Sequence, residues 1–205
     1  MNKRKQKTRS TSARKKSKVR PARHAENSRT EPLILTIGHS NRTIDDFLEL
    51  LSAHDVQRLV DVRTIPRSRH NPRFNGDSLK ESLHAAGIAY THMKNLGGLR
   101  HTRSDSLNTG WRNASFRGFA DYMQTPEFDG GLARLIALAT KKTCAIMCAE
   151  AVPWRCHRSL IADALTARGI PVEHIMSRTI RQKHSLTPFA RVRGTQITYP
   201  SPDVA

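Results

Sequence analysis

Twelve consecutive residues, Cys148-Ala149-Glu150-Ala151-Val152-Pro153-Trp154-Arg155-Cys156-His157-Arg158-Ser159, hold two thiols, a carboxylate, an imidazole and two guanidinium groups. The reactive form of cysteine is the thiolate, which is favoured by neighbouring positive charge and by a helix N-terminus. An apolar run ends at Cys148 and a helical pattern begins near Cys156, so Cys156 is expected at a helix N-terminus, flanked by Arg155 and His157, with an enlarged thiolate population. Arg158 and Ser159 would then face the oxygens of a phosphate or another oxyanion. Glu150 supplies a carboxylate for general-base work. Cys144 opens the apolar run and reads as a buried, inert thiol. The competing view makes Cys148 and Cys156 small buried hydrophobes with His157 and Arg158 as surface cap residues. The spacing Cys-x7-Cys-His lacks the paired pattern of zinc sites, and adjacent Cys and His seldom ligate one ion, so no metal is assigned.

Three other segments carry polar groups at the ends of apolar runs: Gly38-His39-Ser40-Asn41-Arg42, Asp61-Val62-Arg63, and His92 to Gly98. With the cysteine segment they give Cys148, Cys156, Glu150, His39 and Asp61 as candidate catalytic residues. Arg63, His157, Arg158, Ser159, Ser40 and Asn41 are the candidate ligand contacts. No cofactor is identifiable.

These residues would converge only on a suitable scaffold. Leu33-Ile34-Leu35-Thr36-Ile37, ended by Gly38, reads as a buried strand. Thr43 reads as the N-cap of a helix with Asp45 and Asp46 in its first turn. Arg58 to Val62 is a second strand, Asp77 or Ser78 caps a second helix, and Ile88 to Met93 is a third strand. Helices are expected at Ser115–Gln124, Glu127–Thr140 and Cys156–Arg168, with strands at Thr143–Cys148 and Val172–Ile175. Strands alternating with helices imply an α/β domain, a Rossmann-like three-layer arrangement of about five mostly parallel strands with helices on both faces. Right-handed crossovers then place the four polar segments along one edge of the sheet. Residues 32–184 form this domain, and residues 185–205 are a C-terminal extension with a possible edge strand at Gln196 to Tyr199.

The ordered set Thr36-Ile37-Gly38-His39-Ser40, Leu59-Val60-Asp61-Val62-Arg63 with Pro66 and Arg67, Leu96-Gly97-Gly98, Cys148-Ala149-Glu150 and Cys156-His157-Arg158 resembles the domain of unknown function 488 family over roughly residues 33–184. The resemblance implies a compact α/β domain with no settled activity. It transfers His39, Asp61, Arg63, Cys148, Glu150, Cys156, His157 and Arg158 as positions without roles. A strand ending in Asp61-Val62-Arg63 and a later cysteine-bearing loop also share the layout of rhodaneses and cysteine phosphatases. The phosphatase signature of Cys, five residues and Arg is absent, since the sixth position after Cys148 is Trp154.

The chain has 35 Lys+Arg against 17 Asp+Glu, a formal charge of +18 over 205 residues. Residues 1–31 hold 12 of the cations and only Glu26 and Glu31 as acids. This stretch is too poor in apolar groups to offset chain entropy and is expected to be a disordered basic tail that attracts phosphate backbones. A solubilising extension or an organellar transit peptide is the alternative view of it. No apolar run is long enough to span a membrane, and three cysteines form no even disulfide framework, which points to a reducing cytoplasm. The expected function is an enzyme whose cysteine-bearing pocket takes an anionic, phosphate- or nucleotide-containing ligand. The alternative is a nucleic-acid-binding accessory protein without catalysis. Neither membrane nor oligomeric partners are indicated.

Overall fold

The computed structural model describes residues 32–201; the basic tail expected over residues 1–31 lies outside them. Six strands form one sheet in the order β3-β2-β4-β1-β5-β6, with β1 Ile34–Gly38, β2 Arg58–Asp61, β3 Ala89–His92, β4 Cys144–Cys148, β5 Val172–Ile175 and β6 Arg181–Lys183. The first five are parallel, and β6 adds antiparallel to β5. The sheet is therefore one strand larger than expected. A separate two-stranded hairpin joins β7 Arg191–Arg193 to β8 Gln196–Thr198. The segment around Gln196 is thus a hairpin strand rather than an edge of the main sheet. Strand β6 is exposed throughout and three residues long, so it carries no apolar run to announce it.

Side chains alternate across the sheet, as the two-residue period of strands requires. Leu35, Ile37, Leu59, Ala145 and Met147 pack with α1 (Ile44–Ala53) and α2 (Gly76–Ala85) on one face. Ile34, Val60, Cys144 and Ile146 pack with α3 (Ala114–Tyr122), α4 (Pro126–Ala139) and α5 (Arg158–Thr166) on the other. The three-layer α/β architecture follows. No helix among the described residues is long and apolar enough to cross a membrane.

Helix starts follow local capping chemistry. Thr43 caps α1 by accepting from the Asp46 amide at 3.1 Å. Helix α2 starts earlier than Asp77 or Ser78 would place it: Asn75 is its boundary residue, and the Asn75 side chain accepts from the Ser68 amide instead of capping. Helix α5 starts later than expected. Pro153–Arg155 form a single 3-10 turn, Cys156 is extended, and regular helix begins at Arg158.

Two buried histidines make the fold acid-sensitive. His39 and His174 are each lowered from 6.5 to about 4, chiefly by burial. Between those values the unfolded chain binds protons that the native state refuses, so stability rises with pH through this window and is lost as pH falls. A shift of that size is worth on the order of 3 kcal/mol per imidazole. Urea unfolding is expected to show a progressive loss from about pH 6.5 toward pH 4, and His174→Gln should flatten the slope.

Candidate active site

Parallel pairing aligns the strand ends. Gly38 is opposite Cys148, Asp61 opposite Met147, and His92 opposite Asp61. The loops that follow are stitched together: the His39 amide donates to the Cys148 carbonyl at 3.0 Å and the Ser40 amide to the Ala149 carbonyl at 2.8 Å. A Cβ on residue 38 would come within 1.8 Å of the Glu150 carbonyl oxygen, so only glycine permits this approach. Between these loops lies a cavity of about 500 Å³, lined by His39, Arg63, Cys148, Glu150, Cys156 and His157 together with Thr64, Arg67, Ser68, Gly98, Phe116 and Arg155.

At its base Cys148 Sγ, Cys156 Sγ and His157 Nδ1 converge within 4.8 Å of one another. His157 Nε2 lies 3.0 Å from the Val62 carbonyl, which can only accept, so Nε2 carries the proton and Nδ1 presents its lone pair to the sulfurs. Those sulfurs stand 3.6 Å (Cys156) and 3.9 Å (Cys148) from Nδ1. The backbone of Gly98 seats the imidazole from below: a Cβ there would lie 2.6 Å from Nδ1. The two thiols share a charge. The Cys148 thiol, hydrogen-bonded to Cys156 and largely shielded from water, is pushed up, and the same bond holds Cys156 well below the ordinary thiol range despite its burial. Cys144, buried in the sheet, is pushed up to about 11.

Asp61 lies behind the cavity rather than in its lining. It is fully buried and grips Arg63 through Nε at 2.9 Å and Nη2 at 2.6 Å, while the Tyr90 hydroxyl donates to it at 2.9 Å. Burial works against the Arg63 charge, but the hydrogen bond and attraction of Asp61 outweigh it and raise its pKa further. Arg63 Nη1 also points at His39 Nε2, 3.4 Å away, and His39 Nδ1 donates to the Ser40 carbonyl. His39, stacked on Phe74, is held neutral chiefly by its burial, with the Arg63 charge adding to the effect and the Ser40 bond opposing it.

Four expected ligand contacts are not brought to the cavity. Arg158 is almost wholly buried, and its guanidinium donates to Thr36 Oγ1 and to the Glu150 and Ala151 carbonyls. It shapes the cysteine loop from inside the protein. The Ser159 hydroxyl donates to the Cys156 carbonyl, since the later start of α5 turns it inward. Ser40 is a turn residue with φ 52°, and Asn41 is exposed outside the cavity lining. Conversely, Thr64, Ser68 and Phe116 line the cavity without any signature in the sequence, and Arg67 is legible there only as a member of the Asp61-Val62-Arg63 motif with Pro66, not as a ligand contact. The loops after β2 and β3 deliver Thr64, Arg67, Ser68 and Gly98, whereas Phe116 arrives from the first turn of α3.

The comparison with family models gives one match, described as "Domain of unknown function DUF488", over residues 43–165. The chain belongs to this family. No curated protein and no solved structure matches it. The DUF488 match takes in Asp61, Arg63, Cys148, Glu150, Cys156 and His157, while His39 and the hairpin β7–β8 lie outside the matched span of this DUF488 protein.

Proposed function

We propose that this DUF488 protein is an enzyme that binds a phosphate- or nucleotide-containing ligand in the cavity and reacts it at the Cys148–Cys156–His157 centre. One observation carries the reading: the centre shares its cavity with Arg63, Arg67 and Arg155, against Glu150 as the one acid in the lining. Charge-assisted bonds from Arg67 and Arg155 would hold the anion, with the Thr64 and Ser68 hydroxyls beside them. Glu150 is exposed to the cavity and free to move a proton. The volume suits a ligand of nucleotide size. Free thiols in such a centre fit a reducing cytoplasm.

Calorimetric titration of the full chain with inorganic pyrophosphate and with nucleoside monophosphates tests this. The Arg67→Ala/Arg155→Ala double variant is expected to bind roughly 10- to 100-fold more weakly, as loss of charge-assisted hydrogen bonds implies. Equal binding by both proteins would contradict the assignment.

A nucleic-acid-binding role is favoured by a different feature, the exposed cations Lys183, Arg191 and Arg193 on β6 and β7, together with the 12 Lys+Arg of residues 1–31. Deleting residues 1–31 is expected to weaken duplex binding and reduce its salt dependence. Unchanged affinity at two salt concentrations would remove the tail from that role.

A further inference from the structure

We infer that Cys148 Sγ, Cys156 Sγ and His157 Nδ1 form a three-ligand Zn²⁺ site whose fourth position opens on the cavity. This deepens the reading of the cavity as a reaction pocket and rests on it. Zinc holds sulfur at about 2.3 Å and imidazole nitrogen at about 2.0–2.1 Å, so tetrahedral S and N ligands stand about 3.6 Å apart. The two S···N separations are 3.6 and 3.9 Å, and all three donor atoms lie within 4.8 Å of one another. Sequence spacing argues against adjacent Cys and His sharing an ion; the backbone removes the objection. Cys156 is extended at φ −137° and ψ 146°, whereas His157 at φ −55° and ψ −13° already has helical dihedrals, and this break turns the two side chains toward one point.

The surroundings fit a ligand set. A metal-bound histidine characteristically donates its other ring N–H to a carbonyl or carboxylate, which fixes the tautomer that ligates. His157 does this to Val62, and Gly98 leaves the room its ring needs. Two thiolates and one imidazole are borderline-soft donors that suit zinc over magnesium or calcium. Two thiolates also balance the ion's charge. Three protein ligands with an open position are the arrangement of catalytic rather than structural zinc. Cys148 and His157 are only half-buried and line the cavity, so a water or a substrate oxygen can reach the fourth position, with Glu150 lining the same space.

The full chain, purified under reducing conditions without chelator, is to be analysed for zinc and, after metal removal, titrated with Co²⁺. One equivalent is expected, with near-ultraviolet thiolate-to-cobalt charge transfer. Cys148→Ser, Cys156→Ser and His157→Gln should each lose that signal or bind at least 10-fold more weakly, Gly98→Ala should weaken binding 10- to 100-fold by displacing the imidazole, and Cys144→Ser should bind as wild type. Bound Zn²⁺ should also shield Cys148 and Cys156 from iodoacetamide. Absence of thiolate charge transfer in the wild-type chain at equimolar Co²⁺, or unchanged binding by Cys156→Ser, overturns the site. Because the wild-type spectrum is itself decisive, a variant that fails to fold does not rescue the inference. Pyrophosphate binding by the metal-free chain separates the two readings: if it persists and depends on Arg67 and Arg155 while cobalt fails, the metal site alone falls.

Discussion

Replacing Arg63 with methionine is expected to cost about 3–5 kcal/mol of folding stability, because it strands a buried carboxylate. Asp61 is fully buried, and Arg63 supplies its bidentate partner as well as a bond from Nη2 to the Phe74 carbonyl at 2.8 Å. Without the guanidinium, Asp61 keeps only the Tyr90 hydroxyl and the residue 63 amide. The double variant Asp61→Asn/Arg63→Met should recover part of the loss, since removing both charges is far cheaper than removing one. Urea unfolding of the three proteins measures this; a single variant within about 1 kcal/mol of wild type would mean that the pair does not fix the β2 end of the cavity.

Asp163→Ala is expected to be comparably damaging, by about 3–5 kcal/mol, and to act through residues outside the cavity lining. The Asp163 carboxylate, fully buried in α5, accepts from His184 Nε2 at 2.8 Å, the Thr187 amide at 3.0 Å, the Thr187 hydroxyl at 2.7 Å and the Tyr199 hydroxyl at 2.9 Å. Two chain segments after β6, the loop at His184 and Thr187 and the stretch at Tyr199, are thus tied to one side chain. His184 Nδ1 in turn meets His174 Nε2 at 3.1 Å, and His174 Nδ1 meets Thr36 Oγ1, the group that also accepts from Arg158. Loss of Asp163 leaves several buried donors unpaired at once. Hydrogen exchange should show residues 184–199 opening well before the sheet in the variant, while wild type protects them; equal protection in the two proteins would contradict the anchoring role.

The parallel sheet was readable because its strands are buried on both faces and so appear as apolar runs, as in Ile34–Gly38 and Cys144–Cys148. Strand ends then predicted which loops meet, and His39, Arg63, Cys148, Glu150, Cys156 and His157 do line one cavity. What was not readable depended on direction. Arg158 looks from sequence like an anion ligand beside a cysteine, yet one turn of 3-10 helix before α5 points it at Thr36 and the loop carbonyls. Asp61 looks like a catalytic acid but serves as the buried counter-charge of Arg63. Tyr199 and Ile197 are buried beneath α5; their alternation with Gln196 and Thr198 marks a strand, but three residues among polar neighbours do not reveal that the strand lends its apolar side to the core. The convergence of Cys156 and His157 is likewise a matter of backbone dihedrals at two adjacent residues, which spacing does not encode.

The central claim is that the cavity at the carboxyl ends of the strands takes an anion. Amide chemical-shift mapping of the full chain during titration with inorganic pyrophosphate tests it most directly. The expected result is a saturable set of shifts at Arg63, Thr64, Ser68, Gly98, Ala149 and Cys156, reached in the Arg67→Ala/Arg155→Ala variant only at roughly 10- to 100-fold higher pyrophosphate. Shifts confined to the exposed basic strands at Lys183, Arg191 and Arg193, with the cavity amides unmoved, would contradict it.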